Sequence, residues 1–364
     1  MQPRIPVYIP WLKGNELPYV TDAVRSGWIS SLGEYVDRFE ASIRHVTGSK
    51  HAIAVCNGSV AIHLALHCLD VQPGDEVIVP TFTYIASVNA IVLAGAKPIF
   101  VDVSPDDWLI DPAAVELAIS SRTKAVMPVD LYSSLTDPKV FSLARDHRIA
   151  VIEDAAEVFG STKHGRHAGL DADVATFSFF GNKTVTTGEG GAVISNDDGL
   201  AARLRKVKGQ GQSLNRRYWH DEIGYNYRMT NICAAIGVAQ IEQIDTILDR
   251  KRAIAALYRA QLADIVQFQR VPHGVQSSEW LVSALVPNGI DRDEVMQHMS
   301  TAGIDTRPVF FCAHLMPMYA TRQSLPVADD ISRRGISLPS YPALTDNDVV
   351  RVADALRNAI RAQR

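Results

Sequence analysis

From residue 51 to about residue 195 the chain alternates short β-rich apolar runs with helical stretches, and this alternation limits the fold more than any other feature. Strands are expected over residues 51–55, 76–79, 98–101, 124–128 and 150–152, with helices over 59–69 and 84–93. Strands separated by helices form βαβ units, because parallel neighbours need a long crossover. The runs are continuously apolar rather than alternating, which fits a mostly parallel sheet covered on both faces. Such a sheet gathers its working residues beyond the C-terminal ends of its strands.

After Gly199 the pattern reads as mainly helical to about Ile254, then β-like over 280–286 and helical over 291–299. The last helix is the best marked. Thr345 and Asp348 have capping-box spacing, and Val349, Val352, Ala353, Leu356 and Ile360 fall on one face. A chain of 364 residues exceeds one compact core. A large domain over residues 1–248 and a smaller C-terminal domain over 249–364 are expected, divided near Asp249 inside or just before a long helix.

Composition removes several function classes. Hydrophobic residues at 47% and charged residues at 21% are ordinary for a globular protein. A net charge of −4 argues against a basic patch, and the adjacent Arg216 and Arg217 do not make one, so no nucleic-acid partner is expected. No apolar run approaches bilayer-spanning length, and the N-terminal residues lack the charged-then-apolar pattern of a secretion signal. A cytoplasmic protein without a membrane partner is expected. Cys56, Cys68, Cys233 and Cys312 form no CxxC pair and read as reduced thiols. No Cys/His cluster with zinc spacing is read, so no metal is expected.

The most informative stretch is Val174-Ala-Thr-Phe-Ser-Phe-Phe-Gly-Asn-Lys183-Thr-Val-Thr-Thr-Gly-Glu-Gly-Gly191. A β-like run ends at Phe180, a glycine opens a turn, and a lone lysine follows among glycines, threonines and aromatics. Desolvation there would lower the pKa of the amine and make it a nucleophile towards a carbonyl. The same residue reads equally well as a surface lysine in a loop. A phosphate-binding P-loop needs glycine directly before the lysine, and Asn182 stands there instead, so nucleotide hydrolysis is set aside.

Pyridoxal phosphate (PLP) chemistry asks for a lysine, an acid beside the pyridine nitrogen, a phosphate cup and a wall for the ring. The acid is Asp154, at the end of an apolar run, although alone it reads as a helix cap. The cup is Asn57-Gly58-Ser59, between a strand and a helix N-terminus whose N–H groups suit a phosphate dianion. Alone it too is an ordinary cap. Ser178 can add a hydroxyl. The wall is Tyr84, whose face can stack on the pyridine ring, though a lone aromatic more often packs in a core. Together, in this order on one α/β pattern, these residues point to PLP.

The segments Ser26-Gly-Trp-Ile-Ser-Ser-Leu-Gly33, Asn57-Gly-Ser59, Pro80-Thr-Phe-Thr-Tyr84, Glu153-Asp-Ala-Ala-Glu157, Phe177-Ser-Phe-Phe-Gly-Asn-Lys183, Thr187-Gly-Glu-Gly-Gly191 and Gly224-Tyr-Asn-Tyr-Arg-Met-Thr230 extend over nearly the whole chain. In them the chain resembles the DegT/StrS family of nucleotide-sugar aminotransferases. The resemblance implies the α/β, type I PLP-dependent (aspartate aminotransferase-like) fold, with a mostly parallel central sheet and a smaller C-terminal α+β domain. It implies that Lys183 carries PLP, that Asp154 pairs with the pyridine nitrogen, and that Gly58, Ser59 and Ser178 hold the phosphate. Tyr84 would stack on the ring, and Glu157 would sit beside the cofactor. Asn226 would reach the phosphate from the other subunit of a homodimer with shared active sites. Arg228, Arg307, Phe311 and His314 would line the nucleotide-sugar pocket.

Arg217-Tyr-Trp-His220, Thr306-Arg-Pro308 and His314-Leu-Met-Pro-Met-Tyr319 resemble members that aminate GDP-4-keto-6-deoxymannose at C4 with glutamate as donor. Two stretches depart from the family pattern. Asp130-Leu-Tyr-Ser133 stands where the family usually reads His-Leu-Tyr-Gly, and the stretch Val309-Phe-Phe-Cys-Ala-His314 has Cys312-Ala313 where Pro and another apolar residue are expected. Both are expected near the sugar or nucleotide, which leaves dTDP- and UDP-linked keto sugars open. Dehydratase relatives carry histidine in place of the lysine, and a non-catalytic regulator of this fold would need neither Lys183 nor Asp154. The presence of both favours amino transfer.

Overall fold

The computed structural model describes residues 3–213 and 215–363. Its first half supplies strands β1 (His51–Val55), β2 (Glu76–Pro80), β3 (Lys97–Val101), β4 (Thr123–Val126), β5 (Ala150–Asp154), the short β6 (Thr162–Lys163) and β7 (Arg166–His167), then β8 (Val174–Ser178) and β9 (Gly191–Ser195). Seven of these form the central sheet in the order β1-β9-β8-β5-β4-β2-β3. Every pairing is parallel except those of β9, which runs antiparallel to β1 and β8. Six C-terminal strand ends therefore share one edge of the sheet, and the start of β9 joins them there.

Helices α1 (Glu16–Arg25), α2 (Glu34–Thr47), α3 (Gly58–Cys68), α4 (Ile85–Leu93), α5 (Pro112–Ala118), α6 (Pro138–His147), α7 (Asp198–Lys208) and α8 (Asn231–Ile241) accompany the sheet. Successive strand residues point to opposite faces. Ile53, Val55, Val77 and Val79 thus pack with α3 and α4, whereas Ala52, Ala54 and Phe177 pack with α2 and α8. Ile78, Val126 and Val151 meet α5 and α6 on that second side. Both faces are covered, which is why the strand runs are apolar without a break. Capping fixes several helix starts. Asn57 accepts from the Val60 N–H, and Asp111 and Asp137 each cap a helix that opens with proline.

The rest of the chain begins with α9 (Ile244–Leu262). It continues through β10 (Gln267–Phe268), β11 (Val275–Gln276), β12 (Ser283–Leu285), α10 (Arg292–Thr301), β13 (Arg307–Pro308), α11 (Pro326–Arg334), β14 (Gly335–Ser337) and α12 (Asp346–Arg361). Strands β10-β12-β14-β13 form an antiparallel sheet, and β11-β6-β7 a small ribbon. Packing changes within α9. Ile244 and Leu248 belong with the core under the central sheet, while Ile254, Tyr258 and Leu262 join α12 in a separate C-terminal core. The N-terminal end crosses to that second core, where Ile5 bridges Ile304. The capping box of α12 is present, with the Asp348 N–H donating to Thr345 Oγ1 at 3.1 Å.

Two local readings differ. Helix α7 ends at Lys208, and the described residues from 209 to Met229 form a loop rather than more helix. Gly211 has φ +68°, and a side chain there would collide with the Glu222 backbone, so the two arms of the loop pack main chain against main chain. Strand β8 stops at Ser178, two residues before the expected end, because the turn that carries Lys183 begins there.

Candidate active site

The phosphate cup is built by close backbone approach. Gly191 pairs with Val55 on one side and Ser178 on the other. A Cβ on Gly191 would lie 2.5 Å from the Asn57 carbonyl, and one on Gly58 would lie 2.8 Å from Ser178 Cβ. Glycine alone lets these segments close around the start of α3. The Gly58 and Ser59 N–H groups occupy the first turn, where a helix has no intrahelical acceptor and carries its positive end. Ser178 is half-buried at the end of β8, and its Oγ accepts from the Phe180 N–H at 3.4 Å.

Asp154 is the last residue of β5 and is buried. Its Oδ2 accepts from the Ser87 hydroxyl at 2.7 Å and its Oδ1 from the Ala156 N–H at 3.2 Å. No helix follows β5 directly, so Asp154 is not a cap. Burial raises its carboxyl above the usual range, against the opposing pull of Ser87, Ala156 and the Lys183 charge. A protonated ring nitrogen is the partner such a carboxylate lacks.

Lys183 lies in the turn after β8, its N–H donating to the Phe180 carbonyl at 2.9 Å. The turn is held from two further sides. The Tyr8 hydroxyl donates to the Lys183 carbonyl, and Trp280 Nε1–H donates to the Asn182 carbonyl at 2.7 Å. The lysine side chain is only 14% exposed, with Nζ 4.1 Å from the Trp280 ring centroid and 3.5 Å from Glu157 Oε1. It is therefore not a surface-loop lysine. Glu157 is buried, and its Oε2 accepts from the Tyr132 N–H at 3.0 Å. Burial pushes its carboxyl up to about 7, with Lys183 pulling the other way. A carboxyl with that value gives or takes a proton near neutral pH.

An aromatic stack backs this pair. The Tyr132, Trp280 and Phe310 rings form a three-membered cluster, with Tyr132 at 6.0 Å and 17° from Trp280 and at 5.5 Å and 25° from Phe310, and the Tyr132 hydroxyl accepts from the Phe310 N–H at 3.1 Å. Tyr84 is 57% exposed, 5.6 Å from Phe310, and so is not a core aromatic. Trp280, Tyr132, Phe310, Ser87 and Tyr8 are not among the residues singled out in the sequence. Only the two departures from the family pattern, which contain Tyr132 and Phe310, drew attention to that neighbourhood.

The departure at Asp130 has a structural basis away from the open site. Asp130 is buried, and its Oδ1 accepts from the Thr136 N–H at 2.8 Å and the Thr136 hydroxyl at 2.6 Å. It neighbours Glu153, whose strand position faces away from that of Asp154. Burial pushes Asp130 up to about 6 and Glu153 well above its ordinary value. The Asp130 N–H donates to the Asp154 carbonyl at 3.0 Å, which ties the Tyr132 loop to β5.

The residues expected at the sugar are less gathered. Arg228 and Asn226 are exposed on the loop after α7, joined by a 3.1 Å bond from Arg228 Nε to Asn226 Oδ1, and the Arg228 backbone bridges Val55. Arg307 is exposed on β13, and Phe311 is exposed 6.0 Å from the Arg292 guanidinium. His314 is different. It is 1% exposed, with Nδ1 2.7 Å from Thr81 Oγ1, and lies inside rather than on an open wall. The structure thus aligns Gly58, Ser59, Tyr84, Asp154, Glu157, Ser178 and Lys183 along one sheet edge. The donor set fits PLP: an amine for the aldehyde, a buried acid for the ring nitrogen, and a cup that a Cβ would fill.

Comparison with known proteins agrees. The model of the DegT/DnrJ/EryC1/StrS aminotransferase family matches residues 10–357. The chain is 48% identical over 354 residues to GDP-perosamine synthase of Escherichia coli O157:H7, covering 97% of each. It is 45% identical over 361 residues to GDP-perosamine synthase of Vibrio cholerae, covering 97% of this chain and 98% of the relative. Among solved structures, the PLP form of Spr1654 from Streptococcus pneumoniae is similar with a TM-score of 0.94 at 27% identity, covering 99% of this chain and 100% of that one. Strand order, lysine turn and full-length similarity lead to one conclusion: this chain belongs to the DegT/DnrJ/EryC1/StrS aminotransferase family.

Proposed function

We propose that this protein is a PLP-dependent aminotransferase that moves the amino group of glutamate to C4 of GDP-4-keto-6-deoxymannose, giving GDP-perosamine. The observation that carries the chemistry is the Lys183 amine 3.5 Å from the Glu157 carboxyl, on the edge that also holds Asp154 and the glycine cup. Similarity to two GDP-perosamine synthases over 97% of this chain supports the choice of sugar. When bound, PLP supplies an electron-withdrawing ring that stabilises negative charge on the substrate carbon. Asp154 keeps a negative charge against the ring nitrogen. Gly58, Ser59 and Ser178 hold the phosphate, and Tyr84 covers a ring face. Lys183, once its amine is free, carries a proton to and from the reacting carbon, with Glu157 as the nearest group to exchange it. Trp280 shields that amine from water.

Arg228, Arg307 and Phe311 are the chain's contribution to the nucleotide-sugar face. The loop that carries Asn226 and Arg228 also exposes Tyr218, Trp219 and Ile223. Exposed apolar residues grouped in this way favour contact with a second subunit, which supports a homodimer in which Asn226 reaches the partner's phosphate cup. The change of packing inside α9 supports a domain division near Asp249. No described helix is long and apolar enough to cross a membrane. We place the enzyme in the cytoplasm as part of this reading.

A substrate panel tests the assignment. Purified enzyme with PLP and glutamate meets GDP-, dTDP- and UDP-linked 4-keto-6-deoxy sugars, and products are identified by mass. An amino sugar from the GDP substrate, with parallel double-reciprocal lines for the two substrates, is expected. An amino sugar only from the dTDP or UDP substrate would move the nucleotide assignment. No amino sugar from any of them would remove the aminotransferase reading.

A further inference from the structure

Cys312, His314 and Asp329 converge in space, yet the proposed amino transfer uses none of them directly. The thiol Sγ, an imidazole nitrogen and a carboxylate oxygen lie within 4.8 Å of one another. His314 Nε2 and Asp329 Oδ1 are both buried atoms without a hydrogen-bond partner among the described residues, although they stand 3.6 Å apart. Buried polar atoms are rarely left in this state. The other ring nitrogen of His314 is engaged, with Nδ1 2.7 Å from Thr81 Oγ1. That contact fixes the ring and presents Nε2 to the thiol and the carboxylate, as an outer oxygen does behind a metal-bound imidazole.

We propose that Cys312, His314 and Asp329 form a binding site for one divalent transition-metal ion of the zinc class. Sulfur, nitrogen and oxygen donors together suit zinc rather than calcium or magnesium, which take oxygen. A thiolate and a carboxylate also cancel the two positive charges, so the buried centre is neutral overall. Tetrahedral zinc sets its ligand atoms about 3.2–3.8 Å apart, a spacing the His314 and Asp329 atoms already have. Asp329 is 41% exposed at its side chain and opens onto a cleft of about 800 Å³ that also borders Phe311. A water would complete the shell as fourth ligand. A thiol ligates metal as its thiolate, so binding releases one proton from sulfur as the metal–thiolate bond forms.

The ion would join two elements. Cys312 bridges Phe82, just beyond β2, while Asp329 lies on α11. Immediately before Cys312 runs the segment that holds Phe310 on Tyr132 and exposes Phe311. The site is thus a clamp on the wall proposed to face the sugar. Only that consequence rests on the proposed function, whereas metal binding stands or falls alone.

The test uses PLP-loaded protein stripped with EDTA, titrated with zinc chloride by calorimetry and then studied by X-ray absorption at the zinc edge. Expected are one zinc per chain, one sulfur at about 2.3 Å with nitrogen and oxygen at about 2.0–2.2 Å, and release of one proton per ion. Cys312→Ser and Asp329→Asn should each bind at least tenfold more weakly while keeping full PLP absorbance. Absent stoichiometric binding, a shell without sulfur, or unchanged affinity in both variants would overturn the proposal. Should the variants lose PLP and fold, the wild-type spectrum decides, since a one-to-one shell with sulfur supports the site and one of nitrogen and oxygen alone refutes it.

Discussion

Asp154 and Ser178 end their strands and Gly58 opens its helix, whereas Asn226, Arg228, Arg307 and Phe311 project from loops or a two-residue strand at the surface. The first group is held by sheet register and close main-chain contact. Its carboxyls are desolvated, which holds Asp154 and Glu157 above their ordinary pKa values. The second group stays hydrated and makes few contacts within the chain. The difference separates two tasks. Chemistry needs fixed, costly groups, while recognition of a large polar substrate can use residues that complete their contacts only when it binds.

The largest effect should come from the buried edge. Asp154→Ala should lower kcat/KM by roughly 10³-fold, measured with saturating PLP. Activity within tenfold of wild type would mean the edge is not the cofactor site. Because the folded pKa of Asp154 is raised, its contribution to stability is present below its unfolded value and lost as pH rises through the folded one. The apo variant should therefore unfold at a higher temperature than apo wild type at pH 8.

Glu157 gives the next effect and a pH signature. Its carboxyl moves from an ordinary 4.5 to about 7 on folding. Apo stability should fall as pH rises from 4.5 to 7, by up to ~3 kcal/mol from this group, and Glu157→Gln should flatten that slope in denaturant titrations. If Glu157 exchanges the Lys183 proton, the variant should also lose roughly 10–100-fold in kcat/KM, together with the limb of the pH profile near 7. An unchanged limb would leave Glu157 as a positioning group alone.

The rim should respond most weakly and differently. Arg307→Ala is expected to raise KM for the nucleotide sugar about tenfold with kcat nearly unchanged, and to shift stability by no more than about 0.5 kcal/mol. A fall in kcat at constant KM would erase the distinction between edge and rim.

The edge was legible in the sequence because each of its residues lies beside a strand end, and a parallel sheet brings those ends together. Strand β1 has the expected bounds, and Asp154, Ser178 and Lys183 follow from similar local signals. Trp280 was not legible as a neighbour of Lys183, since nothing in the β-like run around it states which turn its ring will cover. The loop from residue 209 was read as helix because its glycine-to-backbone packing leaves no trace in hydrophobic periodicity. The resemblance puts His314 among the residues lining the nucleotide-sugar pocket, and its burial against Thr81 depends on a bridge between distant segments that no local pattern states. Cys312 and His314 stand two positions apart, but Asp329 meets them only through the placement of α11.

Borohydride reduction of the PLP-loaded enzyme, followed by peptide mass mapping, tests the lysine turn most directly. One reduced PLP adduct per chain on the peptide containing Lys183, absent in Lys183→Ala, is the predicted result. An adduct on a different lysine, or none in protein that still turns over, would contradict it.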